Sequence, residues 1–119
     1  MSAQPFISPN VLGEIEIPEK GILSHTLFND EHTKIILFGF APGQELAAHT
    51  APMPATIQIL SGEATLTLAT DTHQVSAGCV VHMPPHLIHG VLSRSPLQML
   101  LILHKAARQA ATPQQSEAA

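Results

Sequence analysis

Two histidines, His49 and His89, are the residues of this chain best placed by type and spacing to do chemistry. His49 sits near the start and His89 at the end of the stretch GQELAAHTAPMPATIQILSGEATLTLATDTHQVSAGCVVHMPPHLIH, which runs from Gly43 to His89. Imidazole ligates transition metals, makes hydrogen bonds and titrates near neutral pH. A lone histidine on an apolar strand is more often satisfied by backbone or water than by a ligand. Two histidines brought together from separate segments shift the reading towards binding a metal ion or a small molecule. A catalytic divalent site generally uses three protein ligands and an open position. The candidates for the third are His82, His86, His104, Met53 and Met83. The two methionines would suit a soft ion such as copper(I), although methionine is more often simple packing. His82 alternates against Val81 and Met83 and is expected to point away from the interior, into a subunit contact; His86 falls in a turn and His104 at a rim. His25, His32 and His73 read as surface residues, and Cys79 as a small hydrophobe rather than a nucleophile.

The elements that must position this pair read as short strands. Residues 22–28 and 34–40 cluster β-branched and aromatic side chains on either side of the polar run Asn29-Asp30-Glu31-His32, which predicts an antiparallel hairpin. Ala41-Pro42-Gly43-Gln44 is a second turn and residues 45–51 a third strand, whose alternation would put Ala47, His49 and Ala51 on one face. Pro52-Met53-Pro54 breaks it, because proline gives the ladder no donor. Residues 56–60 form the fourth strand. Residues 64–68 alternate strictly, and Asp71-Thr72 is expected to turn the chain into residues 73–76. Residues 79–83, 89–93 and 97–104 complete the set, interrupted by Pro84-Pro85 and Ser95-Pro96. Eight to ten short strands with no long helix predict an all-β antiparallel sandwich or barrel.

At 119 residues the chain makes one domain, burying roughly two thirds of the surface its unfolded form exposes. Residues 1–20, with Pro5, Pro9 and Pro18, read as an irregular arm with at most one edge strand, packing on a barrel of residues 21–105. Residues 106–119 have the composition of a flexible tail. Charged residues make up 12% of the chain, five Lys and Arg against nine Asp and Glu, so no basic patch is available and no nucleic acid partner is expected. Hydrophobic residues make up 45%, and with the run Leu100-Leu101-Ile102-Leu103 this predicts a buried subunit contact and a homodimer. The start MSAQPFISPN lacks a secretory signal and no stretch is apolar enough to span a bilayer; the expectation is a cytoplasmic protein with no membrane partner.

Gly43, five residues, His49, then twelve residues to Gly62, followed by Gly78, five residues, Pro84, and His89 five further on, resembles the two motifs of the cupin superfamily. The texture is similar to the small single-domain cupin-2-type conserved barrel proteins. The resemblance implies a double-stranded β-helix, a jelly-roll barrel, with His49 and His89 facing its interior. It also implies one divalent transition metal ion as cofactor, for which His49 fills the first ligand position and His89 the last. Two ligand positions are altered. Ala51 stands where the family's second histidine would be and Ala55 where its carboxylate or amide would be; His86 replaces a glycine and Ser93 an asparagine. A pair of neutral ligands with no anion beside it predicts weak metal binding.

The reading that follows is a small molecule bound in the barrel cavity. His49 and His89 would be its polar anchors, and Ala51, Ala55, Met53, Ile57 and Met83 its walls, with an atypical metal site on the two histidines. The alternative that the resemblance implies is a metal-dependent enzyme, dioxygenase-, isomerase- or decarboxylase-like, acting on a small organic substrate.

Overall fold

The computed structural model describes residues 4–105; the predicted tail, residues 106–119, lies outside the described residues, as do residues 1–3. A 3-10 turn, Val11–Glu14, precedes nine strands: β1 (Ile22–Asn29), β2 (Thr33–Phe40), β3 (Glu45–His49), β4 (Ala55–Ser61), β5 (Glu63–Leu68), β6 (Asp71–Ser76), β7 (Val80–Met83), β8 (His89–Ser93) and β9 (Leu97–His104). They form two antiparallel sheets, one in the order β1-β2-β9-β4-β7 and one in the order β3-β8-β5-β6. None of the helices among the described residues is long and apolar enough to cross a membrane.

Period-2 alternation decides what lies between the sheets. Ala55, Ile57 and Ile59 of β4, Leu97 and Met99 of β9, Ala64 and Leu66 of β5, Val91 of β8, Met83 of β7 and Phe40 of β2 make one buried core. Deleting an Ile or Leu from such a core typically costs about 2–5 kcal/mol, so this layer is what holds the two sheets together. The same alternation divides the run from Leu100 to Leu103. Leu101 and Leu103 pack against the core, whereas Leu100 and Ile102 take the opposite, outward phase of β9.

The outward face is covered at one end by the residues before β1. Gln98, 7% exposed, donates from Nε2 to the carbonyls of Leu12 (2.9 Å) and Ile15 (3.3 Å), while its Oε1 accepts from Ser61 Oγ (3.0 Å). Leu37 of β2 is fully buried although it lies outside the inner core. The described part of the segment before β1 contains no strand.

Two turns carry local lessons. Asp30 Oδ1 accepts the N–H groups of His32 and Thr33, both at 2.8 Å, and these two bonds hold its carboxyl below the ordinary 3.8. The β5–β6 hairpin turns at Ala69-Thr70, two residues earlier than the composition of Asp71-Thr72 suggests: Leu68 pairs with Asp71, and Ala69 takes a φ of 57°. The N–H of Ala69 donates to Ile88 O at 2.8 Å, a tertiary bond that fixes the turn where local composition would not.

Gly62 joins β4 to β5 with a φ of 90°, and a Cβ there would overlap the carbonyl oxygen of Pro96. Both the left-handed backbone and the backbone collision penalise any side chain. Gly62→Ala is expected to lower the unfolding free energy by about 3 kcal/mol, read by urea denaturation. A loss under about 1 kcal/mol would show that the turn tolerates displacement.

Candidate functional site

His49 and His89 are direct partners across β3 and β8. Simple alternation does not bring them there. Leu46 pairs with Val91 and His49 with His89, so three steps along β3 match two along β8, and a bulge lies between. The extra residue gives His49 the phase of Leu46, which packs against the core, instead of that of Ala47. β3 ends at His49, so Ala51 is not on a strand at all; its carbonyl accepts the N–H of His86 at 2.7 Å. The bulge depends on Gly90, the residue of β8 facing it. A Cβ at Gly90 would stand 3.1 Å from the nitrogen of Ala48 and 3.2 Å from Leu46 O.

The two rings lie 4.4 Å apart between centroids, tilted by 55°. Each is held in the same way: His49 Nδ1 is 2.9 Å from Ala47 O, and His89 Nδ1 is 2.9 Å from Leu87 O. A carbonyl can only accept, so Nδ1 carries the hydrogen, and in the neutral ring Nε2 carries the lone pair. This is the arrangement that orients a metal-ligating imidazole through its second nitrogen. The position is an open end of the sandwich rather than its interior, since His49 is exposed and His89 half-buried.

The strand behind His49 is anchored by a buried serine. Ser93, 1% exposed, donates from Oγ to Ala41 O at 2.6 Å, and the same oxygen accepts the N–H of Gln44 at 2.9 Å. Backbone bonds from Gly43 N to Ser93 O and from Ser93 N to Gln44 O complete the tie, fixing the start of β3 to the end of β8. Sequence reading marked Ser93 only as a departure from the family pattern; its burial was the missing signal.

The remaining predicted residues separate. Ala55, Ile57 and Met83 are between 2% and 4% exposed and belong to the packed core, while Ala51 and Met53 are half-buried in the segment between β3 and β4. His86 is exposed in the β7–β8 turn with a φ of 69°, a backbone region that histidine tolerates better than most residues. His82 and His104 lie together elsewhere, 5.9 Å apart between ring centroids. The sequence reading missed Leu68 and Asp71. Leu68 is the β5 partner of His89, and Asp71 is its partner on β6, so both continue the row of the histidine pair across the sheet. Strict alternation through residues 64–68 was the signal for Leu68. Among the described residues no group of three or more His, Cys, Asp or Glu is arranged to hold a metal ion.

Two antiparallel sheets closed around an apolar core, with a cross-strand histidine pair at one end, define a small jelly-roll barrel. The chain belongs to the cupin family: the cupin domain model matches residues 36–103. It is a cupin-2-type conserved barrel protein with a double-stranded β-helix fold. It is similar to a conserved protein of unknown function from Streptococcus pyogenes, at 31% identity over 88% of this chain and 96% of that one, with a TM-score of 0.77. A cupin superfamily protein from Desulfitobacterium hafniense is 29% identical over 76% of this chain and 83% of that one, with a TM-score of 0.72. An RmlC-like cupin from Desulfovibrio desulfuricans shares the fold at 24% identity, covering 83% of this chain and 96% of that one, with a TM-score of 0.74. A comparison with curated proteins finds no match.

Gly90→Ala tests how the pair is positioned. The tight contacts with Ala48 and Leu46 are expected to cost about 1–2 kcal/mol of stability and to separate the two rings, read as loss of the His49–His89 ring-to-ring nuclear Overhauser effect. Retention of that effect with unchanged stability would remove the bulge from the account.

Proposed function

We propose that the protein binds a small organic molecule at the open end of the barrel, with His49 and His89 as its polar anchors. The observation that carries this reading is the fixed orientation of the pair: both Nδ1 atoms are engaged by backbone carbonyls, which leaves the Nε2 lone pairs of two rings 4.4 Å apart to accept. Such a pair accepts from a hydroxyl, phenol or ammonium donor, or shares a divalent transition metal ion to which the ligand's oxygen atoms then bind. Half-buried Leu68, the cross-strand partner of His89, and Ala51, two residues past His49, offer apolar contact for the rest of the ligand, to which the half-buried Met53 of the following loop would add.

The ring spacing favours the metal as part of this site. Metal–imidazole bonds of about 2.0–2.1 Å put each ring centroid roughly 3.2 Å from the ion, so two rings stand about 5.2 Å apart on a tetrahedral ion such as zinc and about 4.5 Å apart on an ion with octahedral ligand angles. The observed 4.4 Å matches the second spacing. With two protein ligands the ion would be held weakly, its other positions completed by ligand or water. A metal-dependent enzyme is the second reading, favoured by the same spacing. A bound ion would there act as a Lewis acid on a substrate oxygen. The chain's own contribution would be to orient the substrate and to move protons through imidazole, because Ala51 and Ala55 offer no carboxylate.

We place the protein in the cytoplasm and read it as a homodimer. Of its exposed large hydrophobic residues, Phe6, Ile7 and Leu12 lie on the N-terminal segment and Leu23 on β1, the sheet edge opposite β7. Exposed apolar side chains of that kind are expected to be covered by a second copy. Ile7→Asp/Leu23→Asp is expected to convert a dimer into a monomer in light scattering at micromolar concentration; a wild-type monomer would end the dimer reading.

Metal content by plasma mass spectrometry, on protein purified without a histidine tag, tests the site. Substoichiometric zinc, iron, nickel or copper is expected in the wild type and none of it at the pair in His49→Ala/His89→Ala. A panel of small hydroxylated and carboxylated metabolites should raise the melting temperature of the wild type alone. Shifts that vanish with chelator assign the metal-bridged form, shifts that survive it assign direct binding, and shifts equal in the double variant refute the site.

A further inference from the structure

A second pair of imidazoles converges on the outer face of the five-stranded sheet. Thr56 Oγ1 lies 3.3 Å from His82 Nδ1 and 3.0 Å from His104 Nε2. Three neighbouring strands supply the three groups: His82 comes from β7, Thr56 from β4 and His104 from β9. The face is the outward one, because Ala55 and Ile57 on either side of Thr56 are buried in the core. His82 is exposed and His104 half-buried, so one ring is free to move and the other is partly fixed.

One hydroxyl carries one hydrogen, so Thr56 donates to one imidazole nitrogen and accepts from the other. The two nitrogens are therefore aimed at a common point, although nothing else joins their strands. β9 and β7 are not neighbours; β4 separates them. An ion can stand between the rings beyond the Thr56 hydroxyl, since ring centroids 5.9 Å apart fall within the roughly 6.4 Å that two imidazoles bound at about 2.0–2.1 Å can span. Imidazole donors of this kind select zinc, nickel and copper(II) over magnesium and calcium.

We propose that His82 and His104 form a second transition-metal site, separate from the His49–His89 pair and on the opposite side of the sheet from the core. Its occupant is a late first-row divalent ion, with water completing the coordination. The mechanical consequence falls on β7. That strand has four residues, lies at the sheet edge and pairs only with residues Ala55 to Gln58 of β4. An ion shared by His82 and His104 clamps it across β4 to β9. The loop after β7 carries His86 and leads into His89, so the clamp also stiffens the segment that delivers one anchor of the ligand site.

The test uses the tag-free full chain titrated with Ni²⁺ or Zn²⁺, as wild type, His49→Ala/His89→Ala, His82→Ala/His104→Ala, and the variant lacking all four histidines. In His49→Ala/His89→Ala, which retains His25, His32, His73 and His86 as well as the outer pair, one equivalent of metal is expected to bind. At tenfold excess over the dissociation constant it should raise the melting temperature by about 5 °C. It should also slow amide exchange in β7. Both effects should disappear in the four-histidine variant, while His82→Ala/His104→Ala keeps any binding due to the other pair. Copper(II) broadening of amide signals should centre on Thr56, His82 and His104. Equal binding in the two-histidine and four-histidine variants, or broadening centred on His25, His32, His73 or His86, overturns the proposal. Failure of the His49–His89 pair to bind metal does not bear on it.

Discussion

Two side chains on adjacent antiparallel strands can face each other only where the register of those strands permits it. In this protein the register of β3 against β8 is the constraint on which the meeting of His49 and His89 depends. Side chains alternate with a period of two, so shifting one strand by a single residue turns every side chain to the other face. The bulge between Leu46 and His49 is such a single-residue shift, confined to the last part of β3. It lets Leu46 pack against the core while His49, three residues on, meets His89. The chain thereby keeps an apolar contact and a polar pair on one short strand.

The constraint is enforced from both ends. At the start of β3, the Ser93 hydroxyl and two backbone bonds hold Gly43 and Gln44 against β8. At its end, Gly90 leaves room for the crowded backbone of the bulge. The fold supplies the rest indirectly. β8 is fixed in phase by Val91 in the core, and β5 beside it by Ala64 and Leu66. A histidine pair at an exposed end therefore inherits its geometry from apolar packing some residues away, as expected where a rigid scaffold carries a site at its rim.

The motif glycines, the histidine spacing and the alternation of residues 64–68 made the fold and the pairing of His49 with His89 legible before any coordinates. What was not legible were the features that depend on contacts distant in sequence. The bulge cannot be seen in GQELAAH, because nothing in those residues marks which of them lacks a partner. The β5–β6 turn falls on Ala69-Thr70 rather than on Asp71-Thr72 because Ile88 accepts a bond from Ala69. Leu100-Leu101-Ile102-Leu103 reads as a continuous apolar run, yet only its alternate members meet the core. The same distant contacts drew His82 and His104 out of the list of possible third ligands and into a cluster of their own.

The packing also explains why the two alanines differ as alterations of the family pattern. Ala51 lies off the strand and is half-buried, so a larger polar side chain there could reach solvent. Ala55 faces inward with Met83 and Leu103 as its cross-strand partners and is 4% exposed. A carboxylate there would stand among apolar groups, and an unpaired buried charge shifts to its neutral form or destabilises the fold. The alanine at position 55 is thus bound up with an apolar neighbourhood that no single substitution would reverse. Position 51 is peripheral, and a polar side chain there would meet no such penalty.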